Sequence, residues 1–598
     1  IRIDSTNQKE WTAIQNDIHD GRADIILISP ERLANEEFAR NVLAIVAPNL
    51  ALLVIDEAHC ISDWGHDFRP DYRRIGRIIR GLPKGFPVLA TTATANRRVI
   101  DDVEKQLGVG VVVQRGELTR ASLRLRNFTI GDASQRLAWL ARTIPQLPGS
   151  GILYVLTVRD ARYVAEWLRK NGIDAASYYG ALGNDERVRV EDALRNNEIK
   201  VVVATSALGM GFDKPDLQFV IHFQTPQSLI HYYQQVGRAG RAVPLAYGIL
   251  LHGDEDKDIV SYFIRNAFPS RELLASIIEV LEDEESTVGG LEARLNVRSG
   301  ALGQALKTLE TEDPPPIVRE GSFYRRTVHR FDFDYERVDR VTALRWEELA
   351  EICEYVVTRD CLMQRMARVL GDQTAGSCGN CSSCAPLEDF LAEAPPTGVL
   401  LQAAQRFLRR LQLVIEPRKQ WPQDSLPIYG FRGRIKRPNL EGRSLARWGD
   451  PGWVQLVRTG KSTGRFDTAL VQGVEELLAD WAPDPAPAWV TCVPSLANPR
   501  LVPDFARALA RALDLPFRAA LLKVKPTQPQ KDMANSFFQA RNLDGSLLVD
   551  ESLMMDGPVL LLDDVVDSRW SLTIAGFLLS QAGAACVYPL ALADSSVV

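Results

Sequence analysis

Short apolar runs that end in polar or turn residues recur along the chain, and a helical pattern follows each of them. Residues 23–29 read Ala-Asp-Ile-Ile-Leu-Ile-Ser, residues 50–55 Leu-Ala-Leu-Leu-Val-Ile, and residues 86–94 Phe-Pro-Val-Leu-Ala-Thr-Thr-Ala-Thr. Runs this short and this apolar are the pattern of strands buried on both faces, and helices between them imply a parallel sheet. Sheets of that kind take their ligands beyond the carboxyl ends of the strands. At 598 residues the chain exceeds what one core can organise, and about three to five domains are expected.

The run at 50–55 ends in Asp56-Glu57-Ala58-His59, followed by Cys60-Ile61-Ser62-Asp63-Trp64-Gly65-His66-Asp67-Phe68-Arg69-Pro70. One carboxylate at a strand end can hold a nucleotide-bound magnesium through its waters while its neighbour orients the attacking water. A bare acidic pair could equally cap the next helix. The hydroxyls at Thr91, Thr92 and Thr94 end the following strand, where they can couple a nucleotide site to a moving neighbour. Trp64, His66 and Phe68 interleave with Asp63, Asp67 and Arg69, an arrangement suited to stacking on unpaired bases. Taken together, the stretch from Asp56 to Pro70 resembles motif II and the aromatic-rich loop of RecQ-type DNA helicases. That resemblance implies that Asp56, Glu57 and His59 serve ATP hydrolysis. It implies that Trp64, His66, Phe68 and Arg69, with Thr92, meet single-stranded DNA.

A second α/β layer begins at residues 150–168, a strand running into a helix, and continues through two strand runs in 199–223. In His231-Tyr-Tyr-Gln-Gln-Val-Gly-Arg-Ala-Gly-Arg241 the two arginines, Arg238 and Arg241, are three apart and would share a helix face. Two guanidiniums there can stabilise charge that develops in phosphoryl transfer. The alternative is a solvated basic face. Thr205, Gly209, Gly211, Asp213, Lys214 and Pro215 resemble helicase motif V, and Gln234, Gly237, Arg238, Gly240 and Arg241 resemble motif VI of a superfamily 2 motor. The resemblance implies catalysis by Arg238 and Arg241, nucleotide contacts at Gln234, Gly211 and Asp213, and a DNA contact at Thr205. The fold it implies is two RecA-like parallel-sheet lobes, over 1–119 and 120–267.

Such a motor needs G-x-x-x-x-G-K-[ST], whose backbone amides and lysine cradle phosphates. The chain holds one Gly-Lys-Ser, at Gly460-Lys461-Ser462, and Gln455 stands where the first glycine belongs. It reads as a decoy. Ser5–Asn7 and residues 28–33 resemble the helicase stretches that follow the phosphate loop. The expectation is therefore a first lobe that is incomplete, in a fragment that alone neither hydrolyses ATP nor unwinds DNA while its parent does both. A degenerate motor is the rival.

Residues 271–310 give three amphipathic helical stretches, and a strand, a glycine turn and a basic strand follow. The order suits a winged helix over 268–330 with Arg298, Lys307, Arg319, Arg325 and Arg326 available for phosphates. A small helical protein-contact domain is the other reading. Cys361, Cys378, Cys381 and Cys384 supply four soft ligands, the number a closed tetrahedral zinc site takes. Disulfides suit a reducing cytosol less well. The spacing resembles the zinc subdomain that RecQ helicases carry after the motor, here over 331–392, with Cys353 spare. Residues 393–485 read as a basic domain of unassigned fold, with Trp421, Tyr429 and Phe431 among its Arg and Lys residues.

The last block, 486–598, contains a buried run ending in Asp563-Asp564, then a loop with Ser568, Ser571 and Thr573 leading to a helix. Acids at a strand end can hold ribose hydroxyls, and the amides of the loop a phosphate. This block resembles a type I phosphoribosyltransferase of the competence-protein branch, with Lys523, Lys525, Gln528, Arg541 and Asn542 in matching order. Arg569 stands where that family has glycine.

The whole-chain balance, 70 Lys and Arg against 76 Asp and Glu, neither favours nor opposes nucleic acid. No apolar run is long enough to span a bilayer, and no signal peptide opens the sequence. The expected fold class is α/β: two RecA-like lobes, a winged helix, a helical zinc module and a phosphoribosyltransferase-like α/β domain. The expected function is an ATP-dependent 3′-to-5′ DNA helicase of bacterial DNA repair and recombination, cytoplasmic. ATP, Mg2+ and Zn2+ are its cofactors, and single-stranded DNA and duplex junctions its partners. A nucleotide or phosphoribosyl ligand is a further expectation at the carboxyl-terminal domain. A non-catalytic DNA-binding module and a DNA-tethered phosphoribosyltransferase remain as alternatives.

Overall fold

The apolar runs of the second layer become strands of a six-stranded parallel sheet. In chain order they are β3 (Leu123–Thr129), β4 (Gly151–Tyr154), β5 (Ala175–Tyr178), β6 (Val201–Ala204), β7 (Phe219–His222) and β8 (Ala246–His252). Across the sheet the order is β3-β8-β7-β4-β6-β5. β4, β6 and β7 are buried at every position, so an alternating pattern would have been wrong for them. Helices α2 (Ala133–Thr143), α3 (Val158–Lys170), α4 (Asn184–Arg195) and α5 (Leu229–Val236) connect strands of the sheet, and α6 (Asp256–Arg265) follows β8. Asp132, Thr157 and Ser228 cap α2, α3 and α5 by accepting backbone N–H groups of their first turns.

This is a computed structural model. It describes residues 2–3, 11–29, 42, 46, 50–61, 75, 79, 83, 85–94, 96–107, 111–209, 212–312, 314–392, 396–409, 413–448 and 453–596. Two compact units result: Ile1–Phe268 with Asp332–Ala404, and Pro269–Phe331 with Gln405–Val598.

In the first unit, the amino-terminal lobe contributes a parallel pair, β1 (Leu53–Ile55) and β2 (Val88–Ala90), in the register Leu53↔Val88, with α1 (Arg97–Leu107) behind it. The loop carrying Trp64, His66, Phe68 and Arg69 lies outside the described residues, and of 70–80 only Ile75 and Ile79 are described. The cysteine-bearing segment expected to hold zinc is helical, with α10 (Tyr335–Val357) and α11 (Leu362–Val369). Ile352, Tyr355, Met363 and Met366 from these helices share one core with Val220, Tyr232 and Leu250 of the second lobe. Two arginines of β3 fasten the segment further. Arg126, 1% exposed, makes a bidentate pair with Glu388 at 2.9 and 3.1 Å, and Arg124 reaches the same carboxylate at 2.7 Å.

In the second unit, residues 271–326 run α7 (Arg271–Asp283), β9 (Ser286–Thr287), α8 (Val288–Arg294), α9 (Ser299–Thr311), β10 (Ile317–Glu320) and β11 (Phe323–Arg326). The three strands form an antiparallel sheet of order β9-β11-β10. This is the element order of a winged helix, and β10–β11 form its wing.

The remainder builds a five-stranded sheet from β12 (Leu413–Ile415), β13 (Gly442–Ser444), β14 (Trp489–Cys492), β15 (Val559–Val566) and β16 (Val587–Asp594), ordered β12-β13-β16-β15-β14. Only β12 is antiparallel to its neighbour. Strands from both sides of the boundary expected at 485 therefore sit in one sheet, and 413–481 is no separate basic domain. Helices α12 (Trp453–Thr463), α13 (Ala469–Trp481) and α14 (Leu501–Ala512) cover one face through Val457, Leu470 and Phe505. The other face carries α15 (Ser536–Leu543) and α16 (Trp570–Gln581). The aromatics read as candidate base contacts pack there instead. Trp421, 6% exposed, stacks on Trp570 at 5.9 Å and lies 5.0 Å from Phe431. Burying such large rings contributes more to this face than exposing them would.

The corner between α8 and α9 is tied to the loop before α15. Asn296 donates to Asp532 O (2.9 Å) and accepts from Ala534 N (2.7 Å). Asn535 donates to Glu292 O and Leu295 O at 2.9 and 2.8 Å while capping α15 through Phe538 N. Among the described residues no helix is long and apolar enough to cross a membrane.

Candidate active site

Asp56 and Glu57 follow β1 directly. Glu57 adopts φ 51°, a left-handed conformation that costs a non-glycine residue energy and that clusters at functional turns. The turn is held by backbone bonds, Thr91 N to Ile55 O and Ala58 N to Thr91 O, both 2.9 Å. The neighbouring strand thus fixes where the acids point. Asp56 Oδ1 accepts the Thr91 hydroxyl at 2.8 Å and the Glu57 amide at 3.0 Å. Glu57 Oε2 is buried without a hydrogen-bond donor and lies 3.2 Å from His59 Nδ1.

His59 is fully buried, and its Nδ1 meets the Thr92 hydroxyl at 3.0 Å. Thr92 Oγ1 also accepts the Thr94 amide at 3.2 Å. Gln234, on α5 of the other lobe, donates from Nε2 to the Thr94 hydroxyl at 3.2 Å. A continuous line of polar contacts therefore runs from the acid pair to the second lobe. Sequence reading picked out every member of it by type, including Thr92, which was expected at DNA and which bonds His59 here.

Arg238 and Arg241 do not lie on a helix. Gly237 caps α5, and Gly240 takes φ +75°, so the chain turns between them. Arg238 donates to Phe212 O at 2.8 Å, and Arg241 pairs with Asp213 at 2.6 Å. Both arginines thus make these contacts inside the second lobe, and Asp213, expected at the nucleotide, is the partner of Arg241. Gly211 lies outside the described residues. Thr205, Gln234 and Arg238 line a cavity of 620 Å³ at the carboxyl ends of β4, β6 and β7, together with Tyr154, Gly209 and Gln224. That is where a parallel sheet presents a ligand.

The four zinc-type thiols come together. The sulfurs of Cys361, Cys378, Cys381 and Cys384 all lie within 4.8 Å of one another, with separations of 3.5 Å (361–378 and 381–384) and 4.0 Å (361–381). Tetrahedral zinc with bonds of 2.3 Å would space its sulfurs about 3.8 Å apart, so the set fits the ion. All four are free thiols, without a disulfide. The hydrogen bond from Cys378 holds Cys381 down at about 4.

On the wing, Arg325 faces Glu285 and Glu320 at 3.2 and 3.4 Å, and Arg319 donates to Gly321 O. Surface pairs of this kind are weak, which leaves both guanidiniums available to a phosphate.

In the carboxyl-terminal sheet, Asp563 and Asp564 lie two residues before the end of β15. Lys461 Nζ sits 2.6 Å from Asp564 Oδ2. Burial, then the neighbouring charge of Asp564, raise Asp563 to about 8. The loop that follows keeps the conformation a glycine would supply, with Arg569 at φ 68°. Arg418 donates two N–H groups to Ser568 O at 2.8 and 2.9 Å and lies 4.2 Å over the Trp570 ring. Ser571 and Thr573 fall in the first turn of α16, with Thr573 buried. Lys525 donates to Asp544 O, and Gln528 and Asn542 bond each other. The sequence presents Lys461 only as part of a Gly-Lys-Ser that lacks the rest of a phosphate loop, and nothing in it links the lysine to Asp564, 103 residues away.

Comparison with known proteins gives two family matches: DEAD/DEAH box helicase over residues 2–103, and helicase conserved C-terminal domain over 136–243. The chain is 34% identical over 281 residues to the probable ATP-dependent DNA helicase RecS of Bacillus subtilis, covering 47% of this chain and 55% of that one. It is 35% identical over 273 residues to the ATP-dependent DNA helicase RecQ of the same organism, covering 45% of this chain and 44% of that one. With the ATP-dependent DNA helicase RecQ of Synechocystis it shares 30% identity over 386 residues, 60% of this chain and 76% of that relative. The chain spans about half the length of the two Bacillus proteins.

Proposed function

This chain belongs to the RecQ family of helicases, and on that premise we propose that its two lobes couple ATP hydrolysis to 3′-to-5′ unwinding of DNA. The observation that carries the reading is the polar line from Asp56 and Glu57 through His59, Thr92 and Thr94 to Gln234. It lets the state of one lobe's acids bias the position of the other lobe, which a motor requires. Asp56 would hold magnesium, and the donor-free oxygen of Glu57 suits it to orient the attacking water. Magnesium would neutralise charge on the phosphates. Arg238 and Arg241 would engage the nucleotide by exchanging Phe212 O and Asp213 for phosphate oxygens. Trp64, His66, Phe68, Arg69 and Thr205 would meet single-stranded DNA, and Arg319 and Arg325 a duplex junction. Zinc at the four cysteines would be structural. The setting is DNA repair or recombination in the cytoplasm.

The test uses a chain that also carries a phosphate loop. Glu57→Gln is expected to lower DNA-stimulated ATP hydrolysis by about 100-fold or more while single-stranded DNA binding stays within about twofold. Hydrolysis that survives the substitution would defeat the assignment.

A further inference from the structure

We propose that Lys461 is a built-in counter-cation for Asp563 and Asp564, and that it closes this crevice to magnesium-bound phosphoribosyl diphosphate. Topology alone marks the crevice as a place for a ligand. After β14 the chain passes to α14 on one face, and after β15 to α16 on the other, so the ends of these strands form a switch point. The resemblance to phosphoribosyltransferases implies a phosphoribosyl ligand there, its ribose on the acids and its phosphate on the loop amides, and a diphosphate of that kind carries magnesium in solution. The residues do not fit one.

Four features oppose it. The ammonium of Lys461 already lies 2.6 Å from Asp564, delivered by α12. Asp567, partly buried, stands in the loop that should receive a phosphate, and a carboxylate repels one. Arg569 holds the left-handed turn, but its guanidinium donates to Glu416 O at 3.1 Å instead of facing a ligand. The loop carbonyl at Ser568 is bound by Arg418.

Lys461 is placed by packing. Gly460 before it permits α12 to lie against Phe466, because a Cβ there would come within 2.4 Å of the Phe466 ring. Val457 and Phe466 bury the same face of the helix in the sheet's core. The Gly-Lys-Ser that looks like a phosphate-loop remnant is therefore a helix-packing glycine followed by a lysine bonded to Asp564. With Asp564 paired to Lys461 and Asp563 raised to about 8, the two acids hold little charge at neutral pH to attract a divalent ion.

Manganese binding to the full chain tests this without DNA or ATP, so the outcome is independent of the helicase reading. In the wild-type chain, Asp564→Asn should leave the manganese isotherm unchanged, and no pyrophosphate should be released from phosphoribosyl diphosphate and magnesium. Lys461→Met should add manganese binding tighter by about tenfold or more, and the double variant with Asp564→Asn should lose it again. Thermal melting checks folding, and Lys461→Gln serves if the methionine variant melts early. Three results would overturn the proposal. They are wild-type manganese binding that Asp564→Asn weakens, pyrophosphate release that Asp564→Asn abolishes, and a folded Lys461 variant without added binding.

Discussion

His222 ends β7 with its ring between Tyr154 and Tyr232, 5.4 and 4.9 Å away, and its Nε2 2.6 Å from Gln235 Oε1. Burial lowers its pKa from 6.5 to about 4, so it is neutral at physiological pH. The unfolded chain therefore takes up the proton first as pH falls from 6.5 toward 4, and stability is lost across that window. Above 6.5 this residue has no effect. The loss is at most about 3 kcal/mol. Urea melts of the second lobe at pH 7 and pH 5 should differ less in His222→Asn than in the wild type. An equal pH dependence in both would show that another group titrates. Nothing in the sequence around Ile221-His222-Phe223 distinguishes this histidine from a surface one; its burial comes from strands and tyrosines far apart in the chain. Asp56, Glu57 and the four cysteines were legible because their chemistry demands particular residue types at short spacing.

The elements of the second lobe were legible for a similar reason, since strands buried on both faces leave uninterrupted apolar runs. The strand at 413–415 and its partner at 442–444 are three residues each, with 26 residues between them, too short for a pattern. The zinc helices illustrate a different limit: their sequence reveals ligands but not what they pack on. Cys361 and Cys381 belong to the same buried core as Val220 and Tyr232. Cys378 and Cys384 pack against that core, so an ion held by the four sulfurs would brace it. Chelation should therefore release about one zinc per chain and lower the melting of the second lobe as well as of its own segment. A second-lobe transition that ignores chelation would show the module to be a separate body.

At the scale of the whole molecule, the chain passes between its two units at 268–269, 331–332 and 404–405. The 269–331 segment, with the element order of a winged helix, leaves the first unit and returns to it, yet belongs with the second, where Asn296 and the buried Asn535 fasten its corner. Those four bonds, each worth about 1 kcal/mol, act together across one small surface. The two halves are interlaced along the covalent thread instead of strung one after the other. A single protease nick between 393 and 404 would therefore not set the tail free, and the pieces should co-elute on gel filtration until Asn535→Ala loosens their grip.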